Sequence, residues 1–131
     1  YGELDGLKRL APEVELNVMG EGFVGIIDDA KSIDEHRRAA RQAYELSLEK
    51  MTSGKFNLVI LDELNVAISL GLISREELEE LVEQKPKKLH LVITGRGAIK
   101  WLIDQADLVT EMKEIKHPYQ KGILAQKGVD F

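Results

Sequence analysis

Two short strand-like runs, Phe56-Asn57-Leu58-Val59-Ile60-Leu61 and Leu89-His90-Leu91-Val92-Ile93-Thr94, constrain this chain more than any other feature. Both are rich in β-branched and aliphatic residues, too short for helices, and read as buried strands. Between them lies helical sequence. Residues 63–70 read as a short helix, and Ser74-Arg75-Glu76-Glu77 is a capping box opening another that stops before Pro86. Strands separated by helices imply parallel pairing, because a parallel connection must cross over the sheet. The expected fold class is therefore α/β with a mostly parallel sheet.

The rest of the chain continues this alternation. Leu4, Leu7 and Leu10 put one apolar face on a helix over 1–10, which Pro12 breaks. Val14, Leu16 and Val18 alternate with polar residues, as in a half-buried strand. Residues 20–31, with Gly20, Gly22 and Gly25, read as a loop. Ser32-Ile33-Asp34-Glu35 is a further capping box, starting a helix closed by Gly54. Its core face would be Ile33, Ala40, Tyr44, Leu48 and Met51, with His36 solvated. Gly95-Arg96-Gly97 leads into a helix over about 98–106, and residues 107–112 read as the last strand. No repeat or low-complexity tract interrupts the pattern. The 131 residues are expected to form a single, partial domain, and the missing initiator Met and domain-like opening favour part of a longer protein or a truncated one over a genuinely short protein.

Composition excludes several classes. The net charge of −5 argues against a general nucleic-acid binder, and no apolar run approaches a membrane span of roughly 20 residues. The opening residues do not resemble a signal peptide. The absence of cysteine excludes disulfides and thiolate chemistry, and fits a cytoplasmic protein. Three scattered histidines offer no zinc-site spacing.

In parallel sheets, ligands bind beyond the carboxyl ends of strands. Asp62-Glu63, Thr94-Gly95-Arg96-Gly97 and Glu111 all fall there. An apolar strand ending in two carboxylates resembles the acidic strand end of nucleotide hydrolases, where such groups hold Mg²⁺ and its waters. The same pair could instead cap the following helix. Asn65 adds a polar group on that turn. Gly95 and Gly97 would let backbone approach a ligand, and Arg96 could fork onto a phosphate. A tight turn with a solvent-facing Arg explains the same residues. His117-Pro118-Tyr119 lies in a stretch of net charge +3 over residues 113–127, suited either to an anionic ligand or to a solvated loop. Phe23, in a glycine loop, either plugs the core or walls a hydrophobic ligand. The phosphate-cradling pattern G-x-x-x-x-G-K-[ST] is absent from these 131 residues.

Five segments together resemble the P-loop ATP:corrinoid adenosyltransferases: Met19-Gly20-Glu21-Gly22-Phe23, Leu58 through Asn65, Thr94-Gly95-Arg96-Gly97-Ala98, Ala106 through Met112, and Lys116-His117-Pro118-Tyr119. The resemblance runs from Tyr1 to the end. It implies a RecA-like P-loop fold and a homodimer. It further implies transfer of the 5′-deoxyadenosyl group of ATP to Co(I) of cobalamin or another corrinoid, with release of triphosphate, in vitamin B12 biosynthesis or salvage. A reduced flavoprotein would supply electrons. Carried over by motif, Asp62 and Glu63 would sit at the Mg²⁺–ATP end, with Asn65, Gly95, Arg96 and Gly97 approaching the nucleotide. His117 would lie near ATP or the corrinoid, and Phe23 beneath the corrin ring.

The sequence departs from that pattern twice. Gly25 stands where the family often has a second aromatic. The strand, P-loop, helix and second strand that open family members do not occur in these residues, so these 131 residues alone are expected to bind ATP poorly and to be inactive. The alternative is a truncated, non-catalytic corrinoid-binding or interaction module.

Overall fold

The computed structural model describes residues 2–20 and 33–126. The chain divides into two compact units, Tyr1–Val18 with Asp107–Phe131, and Met19–Ala106. Phe23, Gly25 and Ser32 lie outside the described residues.

The larger unit is an α/β arrangement. Helix α2 (Ile33–Thr52) leads into β1 (Leu58–Leu61), followed by α3 (Leu64–Ser69), α4 (Arg75–Glu83), β2 (His90–Ile93) and α5 (Lys100–Gln105). The two strands pair in parallel, Leu58 against His90 through Leu61 against Ile93, as the alternation predicts. The capping box that opens α4 is complete. The Glu77 amide donates to Ser74 Oγ at 3.1 Å, and the Ser74 amide donates to Glu77 Oε2 at 2.8 Å. That satisfies two amides at the helix entrance that lack intrahelical partners.

A core of Tyr44, Met51, Ile73, Leu81 and Leu89 gathers one face of the sheet, through Val59, Leu61 and Leu91, against the helices. The strands are nevertheless not buried on both faces as expected. Leu58 is 49% exposed, Ile60 57% and Val92 41%, because the helices of this unit cover one side of the two-stranded sheet. Parallel strands become apolar on both sides only where layers cover both.

On α2, Tyr44 and Met51 are buried as expected, but Ile33 is 44% exposed and His36 only 3%. The spacing 36, 40, 44, 48, 51 is itself a continuous helical stripe, so His36 shares the core face while Ile33 sits at the helix start. Between α2 and α4, Arg41 pairs with Glu77, and the Tyr44 hydroxyl donates to Glu80 Oε2 at 2.5 Å. Burial, then the bond to Glu80, pushes the Tyr44 pKa up to about 12.

The smaller unit contains α1 (Gly2–Lys8) and a 3₁₀ turn at Pro118–Lys121. Two strands expected here do not form. Among the described residues, 14–18 and 107–112 have no strand pairing, and Leu108 and Met112 are 84% and 95% exposed. Alternating or β-branched sequence supplies a strand's surface, but a strand also needs a ladder partner for its backbone. Glu111 is therefore not at a strand end. No described helix is long and apolar enough to cross a membrane.

Candidate functional site

The site is built where β1 and β2 end side by side. One step beyond the ladder, the Thr94 amide donates to the Leu61 carbonyl at 3.2 Å, and the Asn65 amide donates to the Thr94 carbonyl at 3.2 Å. The register that pairs Leu61 with Ile93 thus carries on to set Asp62 beside Thr94. The Thr94 hydroxyl donates to Asp62 Oδ1 at 2.6 Å and accepts the Glu63 amide at 2.9 Å.

Glu63 occupies the N-cap position of α3 with φ 58° and ψ 19°, the left-handed region. An N-cap residue ordinarily has extended backbone and accepts a helix amide on its side chain. Glu63 does neither: its side chain makes no capping bond. A side-chain capping hydrogen bond therefore does not account for this carboxylate. Its backbone carbonyl alone takes the Val66 and Ala67 amides, at 3.0 and 3.2 Å. Left-handed backbone is unfavourable for a residue with a Cβ and persists where the surroundings impose it.

Gly95 makes the close approach possible. Its φ is 113°, and a Cβ there would stand 3.2 Å from Glu63 Cα, 3.2 Å from Asn65 Cβ and 3.3 Å from Glu63 Oε2. The Glu63 carboxylate lies over the glycine. Asn65, 5% exposed, donates from Nδ2 to the Gly95 carbonyl at 3.1 Å, while its buried Oδ1 has no hydrogen-bond partner among the described residues. Gly97 is also left-handed, φ 75°, but in open space.

Asp62, Glu63, Asn65 and Gly95 are thus brought together, with Gly97 on the same turn. Arg96 is exposed, with no hydrogen bond or ion pair to a described residue. His117 belongs to the smaller unit, where its Nδ1 accepts the Tyr119 amide at 3.1 Å and so caps the 3₁₀ turn. Phe23 is outside the described residues. Thr94 opens the Thr94-Gly95-Arg96-Gly97 motif, but the sequence alone gives it no role. The available signal was a hydroxyl ending one strand and a carboxylate ending the other, which meet only once the register is known.

The donor set can be tested against a metal. Among the described residues no three His, Asp or Glu side chains converge as a metal-holding group. Mg²⁺ bound with phosphates needs only one or two carboxylates, its remaining positions being water and phosphate oxygen. Asp62 and Glu63 are exposed neighbours, and only Asp62 Oδ1 is engaged by a described residue. The pair fits that mode and not an all-protein cage.

Residues 1–131 match the sequence pattern of the family described as ATP:corrinoid adenosyltransferase BtuR/CobO/CobP. The chain belongs to this family. A corrinoid adenosyltransferase of Pseudomonas aeruginosa is 37% identical over 130 residues, covering 99% of this chain and 63% of the relative. One from Sinorhizobium is 39% identical over 126 residues, 95% of this chain and 57% of the relative. One from Escherichia coli K12 is 28% identical over 118 residues, 90% and 59% respectively. The chain thus spans about three-fifths of the length of the adenosyltransferases it matches.

Proposed function

We propose that this chain is part of an ATP:corrinoid adenosyltransferase and carries the acidic end of its ATP site. The observation behind this reading is the coincidence of family membership over residues 1–131 with a carboxylate pair held at adjoining parallel strand ends. In the whole protein the fold is RecA-like, the strand–P-loop–helix–strand portion lying outside these residues, and the 131 form part of a single domain. The protein is a cytoplasmic homodimer, and a reduced flavoprotein brings the corrinoid to Co(I).

In the reaction, the Co(I) electron pair attacks C5′ of ATP. The Co–C5′ bond forms as the C5′–O bond breaks, and triphosphate leaves with the bonding electrons. The protein supplies no nucleophile; it orients two reactants and stabilises developing charge. Mg²⁺, when bound, neutralises charge on the triphosphate. Asp62 and Glu63 hold that ion and its waters. Arg96 pairs with a phosphate, and the small Gly95 and Gly97 let the turn lie close to the nucleotide. Asn65 keeps the 94–97 turn in place, His117 approaches ATP or the corrinoid, and Phe23 presses beneath the corrin.

The test joins residues 1–131 behind the corresponding N-terminal portion of the Pseudomonas relative and measures adenosyl transfer from ATP to cob(I)alamin. The joined protein is expected to form adenosylcobalamin, and the 131 residues alone to form none. In the joined protein Glu63→Gln should lower turnover about 10²–10³-fold, the usual loss for one electrostatic contact to developing charge, with little change in melting temperature. A folded joined protein that binds both substrates without transfer, or normal turnover by Glu63→Gln, refutes the reading.

A further inference from the structure

We infer that Thr94 is a positioning residue, which sets the Asp62 carboxylate and the Glu63 backbone together for a divalent cation; this rests on the acidic pair being the cation–phosphate end of the site. The argument begins with the polarity of one hydroxyl. Thr94 Oγ1 accepts the Glu63 N–H at 2.9 Å. An amide can only donate, so the hydroxyl hydrogen is left to point elsewhere. It points at Asp62 Oδ1, 2.6 Å away, short as expected of a hydroxyl donating to a carboxylate. One side chain on β2 therefore fixes two consecutive residues beyond β1, one through its carboxylate and one through its backbone.

Each bond has a consequence for a ligand. With Oδ1 engaged by Thr94, Asp62 presents Oδ2, which no described residue occupies. The bond to the Glu63 amide helps hold that residue at φ 58°. Together with the Glu63 Oε2 position over Gly95, this keeps the second carboxylate on the same turn. The backbone of Thr94 is pinned independently, by its own amide to Leu61 and by the Asn65 amide to its carbonyl. The hydroxyl is thus carried on a fixed frame. Loss of the hydroxyl would leave that frame bonded and free only the two acidic residues, which is what separates positioning from structural support.

The experiment uses the joined protein described above, residues 1–131 behind the N-terminal portion of the Pseudomonas relative, with Mn²⁺ as the probe, added alone and with ATP. Paramagnetic broadening of backbone amides locates the ion, and electron paramagnetic resonance titration measures its affinity. Wild type should show broadening at 62–65 and 94–97. Thr94→Val should weaken Mn²⁺ binding about tenfold, Thr94→Ser should stay within about threefold of wild type, and Thr94→Val combined with Asp62→Asn should bind no more weakly than Asp62→Asn alone. Should the valine variant lose its cooperative melt, Thr94→Ala takes its place with the same expectations. Broadening in wild type with unchanged affinity in the hydroxyl-free variant overturns the role of Thr94 and leaves the acidic site standing. So does a loss that adds fully to that of Asp62→Asn. No broadening at 62–65 in wild type overturns both.

Discussion

Replacing Gly95 by alanine probes the close approach of the two strand ends, and its cost follows from two separate sources. The first is backbone: φ is 113°, outside the regions open to residues with a Cβ, a strain of about 1–3 kcal/mol. The second is contact. The new methyl would meet Glu63 Cα and Asn65 Cβ, both at 3.2 Å, against an optimum of about 3.5–4.0 Å between carbons. Neither atom is the end of a flexible side chain, so the 62–65 turn must move, at a further cost of about 1–3 kcal/mol typical of overpacking. Reduced freedom of the unfolded chain returns about 0.4–1 kcal/mol. The net expectation is a loss of about 2–4 kcal/mol. Gly97→Ala is the internal control. Its φ of 75° carries a left-handed strain of about 1–2 kcal/mol, but no atom lies within 4 Å of the added methyl. Urea unfolding followed by circular dichroism should place the Gly95→Ala midpoint about 1 M below that of Gly97→Ala, with the slope unchanged. Equal midpoints for the two variants, or a milder Gly95→Ala, would refute the crowding argument.

Three further expectations concern the packing of α2 against α4 and the cap that opens α4. Because the Tyr44 pKa is raised to about 12 from 10, its contribution is fully present below pH 10 and fades as pH rises toward 12. Wild-type stability should therefore fall across that window, while Tyr44→Phe starts about 1 kcal/mol lower at neutral pH and lacks this component, as pH-dependent denaturation would reveal. Ser74→Ala should cost about 1 kcal/mol through loss of the α4 cap. Burial opposes ionisation of Glu77, yet its bonds to Ser74 and Arg41 outweigh burial and hold its pKa below the ordinary carboxylate value. Its contribution is thus present at neutral pH and is lost as pH falls through that lowered value; acid titration of Ser74→Ala should show a smaller loss there.

The local elements were legible because short-range chemistry decides them. The Ser74–Glu77 box predicts a helix start that the chain builds from residues three apart, and the two β-branched runs predict β1 and β2. Parallel pairing was legible too, since the helices between leave no room for a hairpin. The acidic strand end and the glycine turn could be named as candidates for the same reason: they directly follow those runs. What the sequence could not decide depends on partners. Residues 14–18 and 107–112 have strand-like patterns but no ladder among the described residues, and His36 is buried only because the stripe through Tyr44 extends back to it. The role of Glu63 was open between helix cap and ligand contact in the sequence, and only the fold shows that it has a left-handed backbone and makes no side-chain capping bond. Thr94 is the sharpest case. Residues 62 and 94 are thirty-two positions apart, and nothing local relates them. The register between Leu61 and Ile93 brings them within 2.6 Å, because a parallel ladder carries each pairing on to the next residue beyond the strands.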